Sequence, residues 1–210
     1  MTSDDDIYAA RIELVDYLVE CFHDAPDEAF IERLLSGEVA TPEDSVNEGM
    51  DEGFETLRTF VASEGDDPEA VTDRLGKEFT RLFVGPRPPV TAHETYYREG
   101  DFLGKGLAEV EASYSAAGWS PPEDYPEEDD YVAVELAFLR HLLTLQRRGH
   151  EEAFGYERVF LDEHLGQWAD DLAADVLDNT DEPFYRAAAQ VLVGVVEFED
   201  DIVASQMARR

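Results

Sequence analysis

Fifty carboxylates, five histidines and a single cysteine are the side chains of widest chemical reach in this 210-residue chain. His23, His93, His141, His150 and His164 stand at intervals that match no metal-ligand motif, and no two fall at i and i+4, where one helix face would present both imidazoles. The chain has no phosphate-binding glycine loop, no cysteine pair and no serine-centred nucleophile elbow. Asp and Glu are so frequent that a neighbouring general acid and base arise from composition alone. Cys21 lies in the apolar stretch 17–22 and is expected to be a core thiol. The expectation is a protein that is not an enzyme and uses no metal and no cofactor. The alternative from another class is a metal-dependent hydrolase whose acids and histidines converge only in three dimensions.

The elements that must position any site are helical. Ile7, Leu14, Val15, Leu18 and Phe22 form one apolar stripe, and Val71, Leu75, Phe79 and Leu82 form another. Thr41-Pro42-Glu43-Asp44 and Asp67-Pro68-Glu69 place proline and acids as helix N-termini favour them. Gly85-Pro86-Arg87-Pro88-Pro89 forbids a continuous helix, because fixed proline dihedrals and missing N–H donors force an extended or turning segment. A second break runs from Gly118 to Pro126, and Tyr131, Val134, Phe138, Leu142 and Leu145 then share one face of a long helix. After Arg148-Gly149-His150, helices are expected over 151–162, 163–178 and 183–206. There is no internal repeat and no strand pattern of useful length. The fold class expected is all-α, a single-domain helical bundle over residues 1–210, with two helical blocks joined around the 83–97 loop.

The net charge of −34, with Lys77 and Lys105 the only lysines, excludes nonspecific nucleic-acid binding as a main task. The acids are scattered along the whole chain, which points to halophilic solvation of the surface. Self-repulsion on this scale weakens a compact state in dilute buffer, but the Debye length falls to about 3 Å at 1 M salt. No run approaches the roughly 18 apolar residues of a membrane span, and MTSDDDIYAA lacks the basic start and apolar core of a secretory signal. A cytoplasmic location without stable membrane insertion is expected.

Three segments, in order and spacing, carry a family resemblance. In EFTRLFVGPRPPVTAHETYY, at 78–97, Leu82, Phe83, Gly85, Pro86, Glu94, Thr95 and Tyr97 resemble the helix ending in Leu-Phe and Gly-Pro, followed by a Glu-Ser-x-Tyr-like element, of the TorD/DmsD/NarJ redox-enzyme maturation chaperones. In EDDYVAVELAFLRHLL, at 128–143, Asp130, Glu135, Leu136 and Phe138 are similar to that family's acidic element at the start of a long helix. Where the family usually has histidine this chain has Tyr131, and the tyrosine supplies a ring and a hydroxyl but no charge switch near neutral pH. FLDEHLGQW at 160–168 and Pro183-Phe184-Tyr185 resemble the family's later helices, and the likeness spans roughly residues 7–206. Taken singly, Phe160, Leu161, Leu165 and Trp168 also read as core packing at helical spacing.

The resemblance implies a haloarchaeal-type chaperone that holds the twin-arginine signal of a molybdopterin-containing oxidoreductase until its cofactor is inserted. A NarJ-like assembly factor acting on the apo catalytic subunit of a nitrate reductase is the near alternative. A binder of such a leader needs carboxylates for guanidinium forks beside an apolar groove. The expected peptide-binding groove lies where the loop from Gly85 to Tyr97 meets the start of the long helix. Glu94, Asp130 and Glu135 are the candidate arginine acceptors, Phe83, Tyr97 and Tyr131 the walls, Gly85 and Pro86 the shapers of the loop, and Phe138 part of the adjoining motif. For Glu94 a helix cap, and for Glu135 a buried partner of a backbone amide, remain equal readings. The proline loop is also a candidate hinge for swapping into a homodimer.

Overall fold

Short polar side chains set several helix starts. Asp27 accepts from the Phe30 N–H at 2.7 Å, Asn47 from Met50 at 3.0 Å, and Asp67 from Ala70 at 3.1 Å with Pro68 in the first turn. The computed structural model describes residues 4–39, 41–42, 44–65, 67–100, 105–122 and 125–208. These form helices α1 (Asp4–Phe22), α2 (Glu28–Leu35), α3 (Glu48–Ser63), α4 (Pro68–Phe79), α5 (Glu94–Glu99), α6 (Lys105–Ala116), α7 (Val132–Arg147), α8 (Ala153–Glu163), α9 (Ala169–Asn179) and α10 (Pro183–Ala208). Among the described residues the sole β feature is an isolated antiparallel bridge between His93 and Tyr131. No helix there is long and apolar enough to cross a membrane. The all-α bundle expected from the apolar periodicity is thus the architecture observed.

Two helix boundaries differ from the sequence reading. The start expected at Thr41-Pro42 falls at Glu48 instead, because Asn47 caps the helix while its own amide donates to the Gly194 carbonyl at 2.7 Å. Glu43 lies outside the described residues. The helix expected over 163–178 begins at Ala169, since the chain leaves α8 at His164 (φ −130°, ψ −105°) and passes through a 3₁₀ turn, Leu165–Gln167. That break takes the imidazole off the line of α8.

The 26-residue α10, about 39 Å long at 1.5 Å per residue, runs through the bundle against α1, α3, α8 and α9, while α1 also packs along α7. The α3–α10 crossing is close because it is lined by Gly49, Gly53 and Gly194. A methyl group on Gly53 would stand 2.6 Å from Val191 Cγ2 and 2.9 Å from its amide nitrogen. One contiguous apolar core results, including Leu18, Phe54, Phe138, Trp168, Tyr185 and Leu192. Cys21 is buried within it, and burial pushes its thiol well above the ordinary range, so it behaves as a small apolar side chain.

Four helices also meet at a buried polar cluster. Arg11 of α1 ion-pairs with Glu199 of α10 and with Glu157 of α8, at 3.2 Å for the latter, and Gln146 of α7 donates to Glu157. Burial and then the Glu199 charge raise the Glu157 carboxyl to about 8 against the opposing pull of Arg11. A proton held on Glu157 leaves one cation facing one anion, which makes burial of three ionisable groups tolerable.

Candidate functional site

The expected site region begins where α4 ends. Five further residues, Thr80–Val84, continue as a π turn closed by the Gly85 N–H to the Thr80 carbonyl at 2.7 Å. Such wide turns insert a residue into a helix and re-aim the side chains that follow. Here Phe83 turns inward against Phe22, Phe79 and Tyr185, with ring centroids 6.0, 5.1 and 6.2 Å away, while Val84 is left 61% exposed. The proline segment then runs back along the bundle, pinned by the Val90 N–H to the Leu82 carbonyl at 3.1 Å.

Residues 92–94 are next stitched to the start of α7. The Val132 N–H donates to the Ala92 carbonyl at 2.9 Å and the Glu94 N–H to the Asp130 carbonyl at 3.0 Å. Asp130, 2% exposed, is the polar hub of this junction. It receives the Thr95 N–H at 3.1 Å and the Thr95 hydroxyl at 2.6 Å, and pairs with His93 Nδ1 at 2.9 Å. Burial opposes its ionisation, yet these three bonds hold its carboxyl below the usual range.

The groove opens beside that junction. It measures about 520 Å³ and is lined by His23, Asp24, Phe79, Phe83, Val84, Pro88, Thr91, Ala92, His93, Tyr125, Pro126, Glu127 and Tyr131. Tyr131 donates its hydroxyl to the Phe22 carbonyl at 2.7 Å, and Tyr125 stacks on His23 with centroids 4.7 Å apart. Aromatic faces thus form the walls. Asp24 and Glu127 supply carboxylates at the lip, and His93 Nε2 lies 3.6 Å from Glu127. Such a groove can bury an apolar segment and pair with a cation at its edge.

Of the nine residues singled out from the sequence, Phe83 and Tyr131 line this groove, and Gly85 and Pro86 form the turn leading to Pro88 on its wall. The other five lie beneath or beyond it. Glu94 is 0% exposed at the first position of α5, bonded to His164 and Arg98. Glu135 is equally buried and receives the Trp168 indole N–H at 3.2 Å. Burial and the Glu94 charge push its carboxyl well above the usual range. Tyr97 stacks on Trp168 and donates to Asp175 at 2.9 Å. Phe138 packs wholly inside, against Tyr114, Trp119 and Phe160. Glu94, Asp130 and Glu135 are therefore already committed to internal partners, and among the described residues the carboxylates facing the groove are Asp24 and Glu127. Glu127 sits three residues before Asp130 in the proline-rich linker, a nearness visible in the sequence. Asp24 is brought in from the end of α1 by tertiary packing alone.

A larger concavity, about 830 Å³, lies elsewhere, between α2 and α3, and includes Leu34, Val39, Leu57 and Val61. Among the described residues its one charged lining residue is Arg58, already paired with Glu55, so those residues offer few convergent polar groups and make a weaker site. Among the described residues no three His, Cys, Asp or Glu side chains are placed to hold a metal ion.

The structure resembles that of a protein of Archaeoglobus fulgidus put forward as a redox enzyme maturation protein. The TM-score is 0.54 at 20% identity, over 89% of this chain and 93% of that one, a likeness of fold. No curated protein sequence matches the chain. The profile of the nitrate reductase delta subunit family matches residues 43–174, which include the π turn, the proline loop, the groove's linker and the whole of α7. The chain belongs to that family, the NarJ/TorD-type chaperones.

Proposed function

We propose that the protein is a cytoplasmic redox-enzyme chaperone whose groove takes the twin-arginine signal peptide of a molybdopterin-containing oxidoreductase of the DMSO/TMAO-reductase type. By holding the leader it aids folding, cofactor insertion and export proofreading. The observation that carries this reading is the pairing of aromatic walls at Phe83, Tyr125 and Tyr131 with the carboxylates Asp24 and Glu127 at one rim. Apolar burial contributes roughly 25 cal/mol per Å², and guanidinium–carboxylate forks add direction. In concentrated salt, long-range attraction by the acidic surface is screened, so close pairs and burial carry the affinity.

The test is calorimetric titration of the protein in molar potassium chloride with leader peptides from the same cell's molybdoenzymes. Saturable binding of one leader, weakened when its arginines become lysines and when its apolar stretch is scrambled, is expected. No binding of any leader would overturn the reading. A second reading is favoured by the family match itself: a nitrate reductase assembly factor that binds the apo catalytic subunit outside any leader. It predicts capture of the leaderless subunit and no response to the peptides.

A further inference from the structure

The segment from Phe160 to Trp168 takes no part in the groove, yet it builds a second chemical arrangement. His164 is buried where the backbone leaves α8, and its Nδ1 lies 3.1 and 3.2 Å from the two carboxylate oxygens of Glu94. Its Nε2 lies 2.9 Å from the hydroxyl of Ser113 on α6. One tautomer satisfies both contacts: Nδ1–H donates to Glu94, and Nε2 accepts the Ser113 proton. Glu94 is ion-paired on its other side with Arg98, whose guanidinium also donates to the Glu163 carbonyl at 2.6 Å. The carboxylate is therefore fixed, the imidazole is fixed by it, and the serine hydroxyl is held on the imidazole.

Ser113 is half-buried and opens into a cavity of about 600 Å³. Glu109, Asp162 and Glu163 give that cavity an acidic lining, and Arg98 and Gln167 bring N–H donors to it. A hydroxyl–imidazole–carboxylate chain opening into a cavity is the arrangement that activates a serine for acyl transfer.

We propose that Ser113, His164 and Glu94 form an acyl-transfer site for carboxylic esters that carry a cationic group, with Ser113 as nucleophile, His164 as base and Glu94 as positioning residue. Ser113 Oγ attacks the ester carbonyl carbon while its proton passes to His164 Nε2. The tetrahedral adduct collapses, the carbon–oxygen bond to the leaving alcohol breaks, and the imidazolium returns its proton to that oxygen. Water, deprotonated by His164, then cleaves the acyl-serine and releases the carboxylic acid. Because Ser113 lies inside α6, its own amide is committed to the helix, and Arg98 and Gln167 are the donors left for the oxyanion. Acyl transfer here is independent of peptide binding, since among the described residues the groove and this cavity have no lining residue in common.

The full chain, in molar potassium chloride, is treated with a biotinylated alkyl fluorophosphonate, in which serine attack on phosphorus expels fluoride. The modified residue is then located by peptide mass spectrometry. About one equivalent on Ser113 is expected, none in Ser113→Ala, and labelling slowed about 100-fold or more in folded His164→Gln. Glu94→Gln should slow it and alter its pH profile, the mark of a positioning role. A choline ester should acylate the protein several-fold faster than its uncharged 3,3-dimethylbutyl isostere at low salt, the difference shrinking as salt rises. Native protein left unmodified at Ser113, or His164→Gln labelled as fast as wild type, overturns the proposal. The Ser113 position on wild-type protein decides it even if the buried His164 variant does not fold.

Discussion

Glu157 shows how one buried carboxyl couples stability to pH. Its carboxyl titrates near 8 in the folded chain against an ordinary value of 4.5, because burial and Glu199 outweigh Arg11. Between those two values the unfolded chain has lost the proton that the folded chain keeps, so stability falls as pH rises, by at most about 1.4 kcal/mol per unit. The Glu157→Gln variant removes that slope, since an amide keeps the size and hydrogen-bonding reach without the proton. Denaturant unfolding should show the variant gaining on the wild type by on the order of 3 kcal/mol between pH 5 and pH 8. A constant difference across that range would contradict the assignment. At this scale the site was partly legible in the sequence. Phe83 and Tyr131 stand out because rigid loops and aromatic residues mark their own positions. Glu94, Asp130 and Glu135 are visible as carboxylates, but sequence does not distinguish a carboxylate that faces outward from one committed to His164, His93 or Trp168. The Ser113–His164–Glu94 chain joins positions up to 70 residues apart, beyond the reach of any local spacing rule.

Among elements, the crossing of α3 and α10 is a close joint lined by glycine. Gly53→Ala raises helix propensity by roughly 1 kcal/mol, but the added methyl would meet Val191 at 2.6 Å and the Ala187 carbonyl at 3.0 Å. Overpacking costs about 1–3 kcal/mol, and contact with the Val191 and Ala187 backbones puts Gly53→Ala at the upper end, above that gain. Scanning calorimetry should find a melting temperature lower by about 3–10 °C, and an unchanged or higher value would mean that the helices separate freely. Helix existence was readable from apolar stripes and proline breaks, as for α4, where Asp67-Pro68 marks the N-terminus, and for α7 after the proline-rich linker. The boundaries that were misplaced depend on partners remote in sequence: Asn47 caps α3 while bonding Gly194, and the break after α8 turns His164 toward Glu94 and Ser113. The π turn at Thr80–Val84 has no signature in a single sequence, because it differs from an α-helix only by one inserted residue.

For the molecule as a whole, the net charge of −34 sets the conditions under which everything else operates. Basic residues are too few to pair with most of its carboxylates, and most of the described ones are exposed to solvent, so their mutual repulsion is relieved chiefly by counterions. Thermal unfolding followed by circular dichroism should show a melting temperature that climbs steeply from 0.1 M to 1 M potassium chloride and then flattens, as the Debye length drops to about 3 Å. A melting temperature independent of salt would show that the surface charge does not weaken the fold.

If the groove between the proline loop and α7 holds the client peptide, binding must be lost when that groove is altered and kept when another concavity is. A leader peptide that binds the wild type would be titrated, in molar potassium chloride, into Phe83→Ala/Glu127→Gln and into the remote control Leu57→Ala/Arg58→Gln in the larger concavity. The groove carries Phe83 and Glu127, and the control pair lines the cavity between α2 and α3. Affinity is expected to fall about 30-fold or more in the groove variant, as for losing an aromatic wall and a charge pair together, with the folded control unchanged. Undiminished binding by the groove variant, or a loss confined to the control, would contradict binding in the groove.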